Sequence, residues 1–209
     1  MSTTAPLPTL PSDEERTMLR DSVRGFLERH WPAAAAVESA ADPKRVAQAW
    51  GLLAEQGLTG LGTDPSEGGL REILIVMEEL GRAACPVPLQ YAALLNLSAA
   101  ETALPSTMRG GQARIALGFA QADGDPAAGV LRCDGAAVSG EVAFVEAASA
   151  ATHFALVVPG PSLAFVTAGA PGLVVEATPA MGTQGLFRLR LDRVEATLVA
   201  LNETALADL

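Results

Sequence analysis

This chain is poor in aromatic residues, in lysine, in histidine and in cysteine, and each shortage narrows what it does. Aromatics make up 4% of its 209 residues, with one tyrosine and two tryptophans. Lys44 is the single lysine; the remainder of the 14 basic residues are arginine, against 24 acidic ones, for a net charge of −10. A nucleic-acid binder needs a basic face, and this balance argues against one. Acidity by itself names no partner. The two histidines, His30 and His153, are too few and too scattered for a His-rich metal site. Cys85 and Cys133 fall in segments of different texture and read as two buried, reduced thiols of a cytoplasmic protein. No apolar run reaches the roughly 18 residues of a membrane helix. Residues 1–11 are polar and Pro-rich, without the basic and apolar regions of a secretory signal. Neither a G-x-G-x-x-G nor a GK[ST] sequence is present, so dinucleotide and P-loop folds fail.

What is present divides into two textures. Ser12 and Glu15 form a capping box, and Met18, Leu19, Val23, Phe26 and Leu27 recur at helical spacing, which predicts a helix over 13–30. His30 suits its C-terminal end, and Trp31-Pro32 stops it. Asp42-Pro43 opens a second helix with Val46, Ala47, Trp50, Leu53 and Ala54 on its inner stripe and Gly57 as a left-handed stop. Trp50 reads as a core anchor. Residues 58–69 are a Gly-rich loop, which either lines a ligand pocket or only joins two helices. Ile73, Leu74, Val76, Met77 and Leu80 predict a third helix ending at Gly81. Within it Glu78-Glu79 reads as a solvated face with one interhelical contact. After Pro86-Val87-Pro88, a fourth helix runs over 89–101.

Near residue 105 short β-like runs begin: 113–120, 129–133, 136–139, 153–158, 162–167, 173–177, 186–191 and 196–201. Turn signals separate them, the strongest being Asp134-Gly135. Helices first and strands second predict an α+β protein: a helical bundle followed by a small antiparallel barrel or sandwich. The expected division is a flexible N-terminus over 1–11, a helical domain over 12–108 and a β-domain over 109–209.

Six segments resemble the acyl-CoA dehydrogenase family, in the family's order. Trp50-Gly51-Leu52-Leu53-Ala54-Glu55-Gln56-Gly57-Leu58 is similar to its W-x-x-L-A-E-x-G-L helix end, and Pro65-Ser66-Glu67-Gly68-Gly69 to a compressed P-E-x-x-G-G loop. Val76-Met77-Glu78-Glu79-Leu80-Gly81 resembles the next helix. In the second half, Val138-Ser139-Gly140-Glu141-Val142-Ala143-Phe144-Val145 resembles L-x-G-x-K-x-W/F-I/V. Ala151-Thr152-His153-Phe154-Ala155-Leu156-Val157 resembles A-D-x-x-L-V, and Leu191-Asp192-Arg193-Val194 resembles L-D-x-V.

The resemblance implies a helical N-terminal domain, a middle β-domain and a C-terminal four-helix domain. FAD takes the β-hydride of an acyl-CoA thioester while a carboxylate removes the α-proton. Carried onto this chain, the flavin-facing positions are Phe119, Ala120, Gln121, Phe144, Val145 and Glu146. Three departures bear on that. The chain stops where the domain carrying the catalytic glutamate would begin, so no catalytic residue is assigned. Ala120 and Gln121 stand where the family's T-E-P-x-A-G-S-D loop has Thr and Glu, and the G-S-D part is missing. Glu146 stands where a Thr or Ser would hydrogen-bond the flavin, and a carboxylate there disfavours a reduced flavin anion. Phe119 and Phe144 are either β-core or flavin neighbours; Glu146 is either a surface residue or the mark of a lost flavin site.

Three functions compete. The first is an acyl-CoA dehydrogenase, or part of one, using FAD. The second is a weakened partner subunit in a homo- or hetero-oligomer with an acyl-CoA dehydrogenase-like chain that supplies flavin and base. The third is a binding module without redox chemistry. If the third domain is supplied by another chain, apolar surface should remain exposed where it packs.

Overall fold

The computed structural model describes residues 11–64, 66–98, 111–119, 131–160, 162–179 and 185–200. The helical half contains α1 (Asp13–His30), a 3₁₀ turn (Ala33–Ala35), α2 (Ala36–Ala40), α3 (Pro43–Glu55), a second 3₁₀ turn (Leu58–Gly60), α4 (Leu70–Arg82) and α5 (Leu89–Ser98). The Ser12/Glu15 capping box closes α1 reciprocally, with Glu15 accepting from the Ser12 backbone N–H at 2.7 Å. Asp42 caps α3 through the Lys44 N–H, with Pro43 at the first helical position. Gly57 takes φ +75° after it, as its place in the sequence predicts.

Helix α4 passes through Gly81 and ends at Arg82; the left-handed residue that turns the chain is Ala84, φ +49°. Short α2 carries no periodic apolar signature and is not foreseen from the sequence. Residues 99–101 of the expected fourth helix, residues 1–10 of the flexible N-terminus expected over 1–11 and the expected 108/109 boundary lie outside the described residues. Val23, Phe26, Leu27, Val46, Trp50, Leu53, Val76 and Leu80 form one core with Trp31 and Leu89. Met18 and Leu74, expected on that stripe, are 65% and 55% exposed.

The strands are β1 (Ile115–Gly118), β2 (Arg132–Asp134), β3 (Ala137–Glu146), β4 (His153–Val158), β5 (Ser162–Thr167), β6 (Leu173–Thr178), β7 (Leu186–Glu195) and β8 (Thr197–Ala200). They form two four-stranded sheets, ordered β1-β4-β5-β8 and β2-β3-β7-β6. The α+β class holds, and of the two β arrangements the sandwich is formed; the sheets do not close into a barrel. One pair, β1 with β4, is parallel, because a long connection separates those strands in sequence. The β2–β3 hairpin turns on Gly135 (φ +59°) and Ala136, flanked by the Asp134–Ala137 pair.

The first sheet is covered on both faces, which explains its continuous apolar runs. Phe154, Leu156, Val158, Ala164 and Val166 face the second sheet's Val138, Val142, Leu189 and Val194. Ala155, Leu163 and Phe165 face the other way and pack with Leu95 of α5. The layers are therefore helices, first sheet, second sheet. The second sheet's outer face is wet and charged, with Arg190 bridging Glu141 and Glu176. Cys85 is buried as expected, but Cys133 is exposed, because β2 turns it away from the sandwich.

Candidate functional site

The two halves meet along a seam of specific contacts. Trp50, 1% exposed, donates its Nε1–H to the Gly111 carbonyl at 2.9 Å. A Cβ at Gly111 (φ +69°) would overlap Thr59, backbone included, so only glycine allows that approach. Within the β half, beside this seam, Arg114 donates its Nε–H at 2.6 Å to the carbonyl of Ala150, whose side chain packs in the helical core. Tyr91 of α5 donates its hydroxyl to Glu146 Oε2, at the end of β3, at 2.7 Å.

Near this last contact lie the sequence-derived candidates. Strand β3 gains one residue on β7 between Val142–Leu189 and Val145–Phe187, a β-bulge. Phe144 sits in it with φ +58°, a rare conformation for a bulky side chain. The bulge leaves the Phe144 ring 42% exposed between the buried Ala143 and Val145. Phe119, just past the end of β1, is 50% exposed. A Cβ on its neighbour Gly118 would lie 3.0 Å from Val142 Cγ1 and 3.3 Å from Val145 Cγ2, so the end of β1 adjoins the bulge. Phe119 and Phe144 are thus not β-core; they are open aromatic surface at two adjoining strand ends. Val145 is fully buried among Val138, Phe154 and Leu189. Ala120 and Gln121 lie outside the described residues.

Glu146 is half-buried and, among the described residues, receives the Tyr91 hydrogen bond alone. Burial pushes the Tyr91 phenol upward in pKa, and the Glu146 carboxylate adds to the shift, so Tyr91 stays the donor. Nothing in the sequence pairs residue 91 with residue 146. The one usable signal is that a single tyrosine must place its hydroxyl somewhere polar.

The donor set can be tested against the flavin that the family resemblance implies. Two open aromatic rings suit a planar ring system. The carboxylate does not: Glu146 only accepts hydrogen bonds, and so do most polar atoms on the flavin's pyrimidine edge. The described residues therefore do not make a complete flavin holder. Among the described residues no cluster of His, Cys, Asp or Glu has metal-binding arrangement.

Elsewhere, the loop over 58–69 borders a groove of about 660 Å³ with Leu19, Leu58 and Leu61 inside and Glu15, Asp64 and Glu67 among its lining residues. Those carboxylates disfavour an anionic thioester carrier, so connecting two helices is sufficient reason for the loop. Glu79 departs from a solvated face: it is 2% exposed and grips Arg24 through two hydrogen bonds of 3.0 and 2.9 Å, with Arg20 at 3.1 Å. Those hydrogen bonds, Arg24's first, hold its carboxyl below the usual range against the opposing effect of burial. Glu78 beside it is exposed and pairs with Arg20. His153 is half-buried on β4, and burial lowers its pKa.

Comparison with known proteins agrees with this layout. Residues 13–104 match the family described as acyl-CoA dehydrogenase, N-terminal domain. Acyl-CoA dehydrogenase IpdE2 of Mycobacterium tuberculosis is 38% identical over 98 residues, covering 44% of this chain and 31% of that protein. A variant of the Tcur3481–Tcur3483 steroid ACAD superposes with a TM-score of 0.75 at 29% identity, covering 92% of this chain and 58% of that one. The ChsE4–ChsE5 complex from Mycobacterium tuberculosis has the same fold at a TM-score of 0.74 and 17% identity, with 95% and 60% covered. The chain thus spans less than two thirds of the length of these relatives. Its helical half matches the N-terminal domain of the acyl-CoA dehydrogenase family, and the helices with the two sheets that follow share the fold of these acyl-CoA dehydrogenases.

Proposed function

We propose that this chain works as one subunit of an acyl-CoA dehydrogenase that desaturates an acyl-CoA thioester at the α,β position. In this reading the chain builds N-terminal and middle-domain surfaces around the acyl group. The proton-abstracting base and most of the FAD site come from an acyl-CoA dehydrogenase-like partner chain or from a further domain. The observation that supports it most is the similarity, over 92% of this chain, to a steroid ACAD whose name joins two chains. ChsE4–ChsE5, likewise a complex of two named chains, shares the fold. A steroid side-chain or fatty acyl thioester is the substrate class these relatives favour. Open apolar residues on the β half, Phe119, Phe144, Val174, Val175 and Leu198, offer surface for such a partner. We place the assembly in the cytoplasm, a compartment that suits the free thiols of Cys85 and Cys133.

A second reading, a partner subunit or binding module without flavin chemistry of its own, is favoured by the Tyr91–Glu146 contact. Co-expression with an acyl-CoA dehydrogenase-like chain tests both. A yellow, stable complex that reduces a dye with an acyl-CoA, beside a colourless chain when expressed alone, supports the assembly reading. A yellow chain that turns over alone overturns the need for a partner. A complex that forms but stays colourless and inert selects the second reading.

A further inference from the structure

The Tyr91–Glu146 contact carries one consequence for flavin, and it rests on the assembly reading above. We infer that the Tyr91–Glu146 pair closes the β3 end of this chain to flavin, so that FAD in the assembly is held at the partner's site and not at this one. The bulge at Phe144 sets the direction of the strand end, and Glu146 follows two residues later. Its carboxylate is half-buried and tied to α5 by the 2.7 Å bond from the Tyr91 hydroxyl. A tyrosine hydroxyl has one hydrogen, and it is spent on Glu146 Oε2. The pair therefore presents a ring approaching this edge with carboxylate lone pairs and no donor.

A flavin's polar edge carries acceptors at N1, O2 and O4 of the pyrimidine ring and at N5 of the central ring, with a single donor at N3. Against Glu146 most of those acceptors face an acceptor, and polar atoms removed from water without a partner are costly. Two-electron reduction adds negative charge to the same edge and sharpens the repulsion. The Phe119 and Phe144 rings still offer stacking area, so removing the charge should be enough to open the site partially.

The experiment titrates FAD itself into the purified chain, followed by the quenching of flavin fluorescence and by the visible spectrum. Glu146→Gln keeps the shape, keeps an acceptor for Tyr91 and adds a donor; Glu146→Thr supplies a small hydroxyl. Both should bind FAD at least about tenfold more tightly than the unaltered chain. Tyr91→Phe should stay as weak as the unaltered chain, because the carboxylate remains. Circular dichroism and thermal melting confirm that each variant is folded. Tight binding by the unaltered chain, or no gain in either Glu146 variant, overturns the inference. The co-expressed complex separates the two readings. If it holds FAD while Glu146→Gln gains nothing, the inference fails and the assembly reading stands. If it holds none while Glu146→Gln gains affinity, the assembly reading fails and the local inference stands.

Discussion

The helical half buries charge and the β half does not. In the helices, Glu72 and Glu79 are 5% and 2% exposed and are held by arginines from α1. In the sheets, the carboxylates in ion pairs, Glu141, Glu176 and Asp134, lie on the wet outer face, and the interior is apolar. The irregularities are divided the other way. The helices α1, α3 and α4 are regular between their caps, whereas β3 and β7 carry bulges with Phe144 at φ +58° and Arg193 at φ +49°. Helices are aligned here by a few charged clamps between faces, and sheets by register, where one added residue redirects a side chain. The candidate site lies where the two styles meet, with a helix tyrosine clamping a carboxylate at the end of a bulged strand.

The strongest way to break the comparison is at the seam. Trp50→Ala removes the largest fully buried side chain and the Gly111 hydrogen bond, and should cost about 3–5 kcal/mol in chemical denaturation. If the halves are one cooperative unit, helix and strand signals will be lost together; two separated transitions would show that the seam is weak.

The buried clamp comes next. Glu79→Ala should destabilise by about 2 kcal/mol, the scale of lost hydrogen bonds to charged partners, since its arginines can turn to water. Its folded-state pKa lies below the ordinary 4.5, so its stabilisation is present above pH 4.5 and is lost as pH falls through the lowered value. Melting curves across acidic pH should therefore converge for the unaltered chain and Glu79→Ala. Parallel curves would mean that the clamp carries no pH-dependent stability.

Phe144→Gly sharpens the contrast from the sheet side. Glycine relieves the left-handed backbone, so the variant should be more stable by about 1 kcal/mol, at the loss of the open ring. A destabilised variant would show that the ring packs on something that holds it. The smallest effect is expected at Glu141→Ala on the outer face: less than about 1 kcal/mol, shrinking further in salt.

Where function is concerned, the sequence was legible wherever chemistry is local. Ser12 with Glu15, Asp42 with Pro43, Gly57 and the Asp134-Gly135 hairpin mark their elements because caps and turns are built from neighbouring residues. Trp50 as an anchor, and the order of helices and strands, were legible too, as was the family resemblance. The exposure of Phe119 and Phe144 was not, because their burial depends on a one-residue bulge and on where a strand stops. Cys133 misled for a related reason: on a three-residue strand the side that faces out is set by pairing with β3, not by the thiol's apolar character.

By itself, then, the sequence determined the two textures, most element starts and the family they resemble, since propensity, capping and motif order need no distant partner. Only the tertiary structure decided which carboxylates are buried and whom they hold. Glu79 stands beside Glu78 in sequence, yet one is clamped by Arg24 and the other pairs at the surface. Tyr91 and Glu146 lie 55 residues apart and become partners because α5 packs across the first sheet beside the end of β3. Long-range hydrogen bonds of this kind follow from the docking of layers, and no local pattern encodes them.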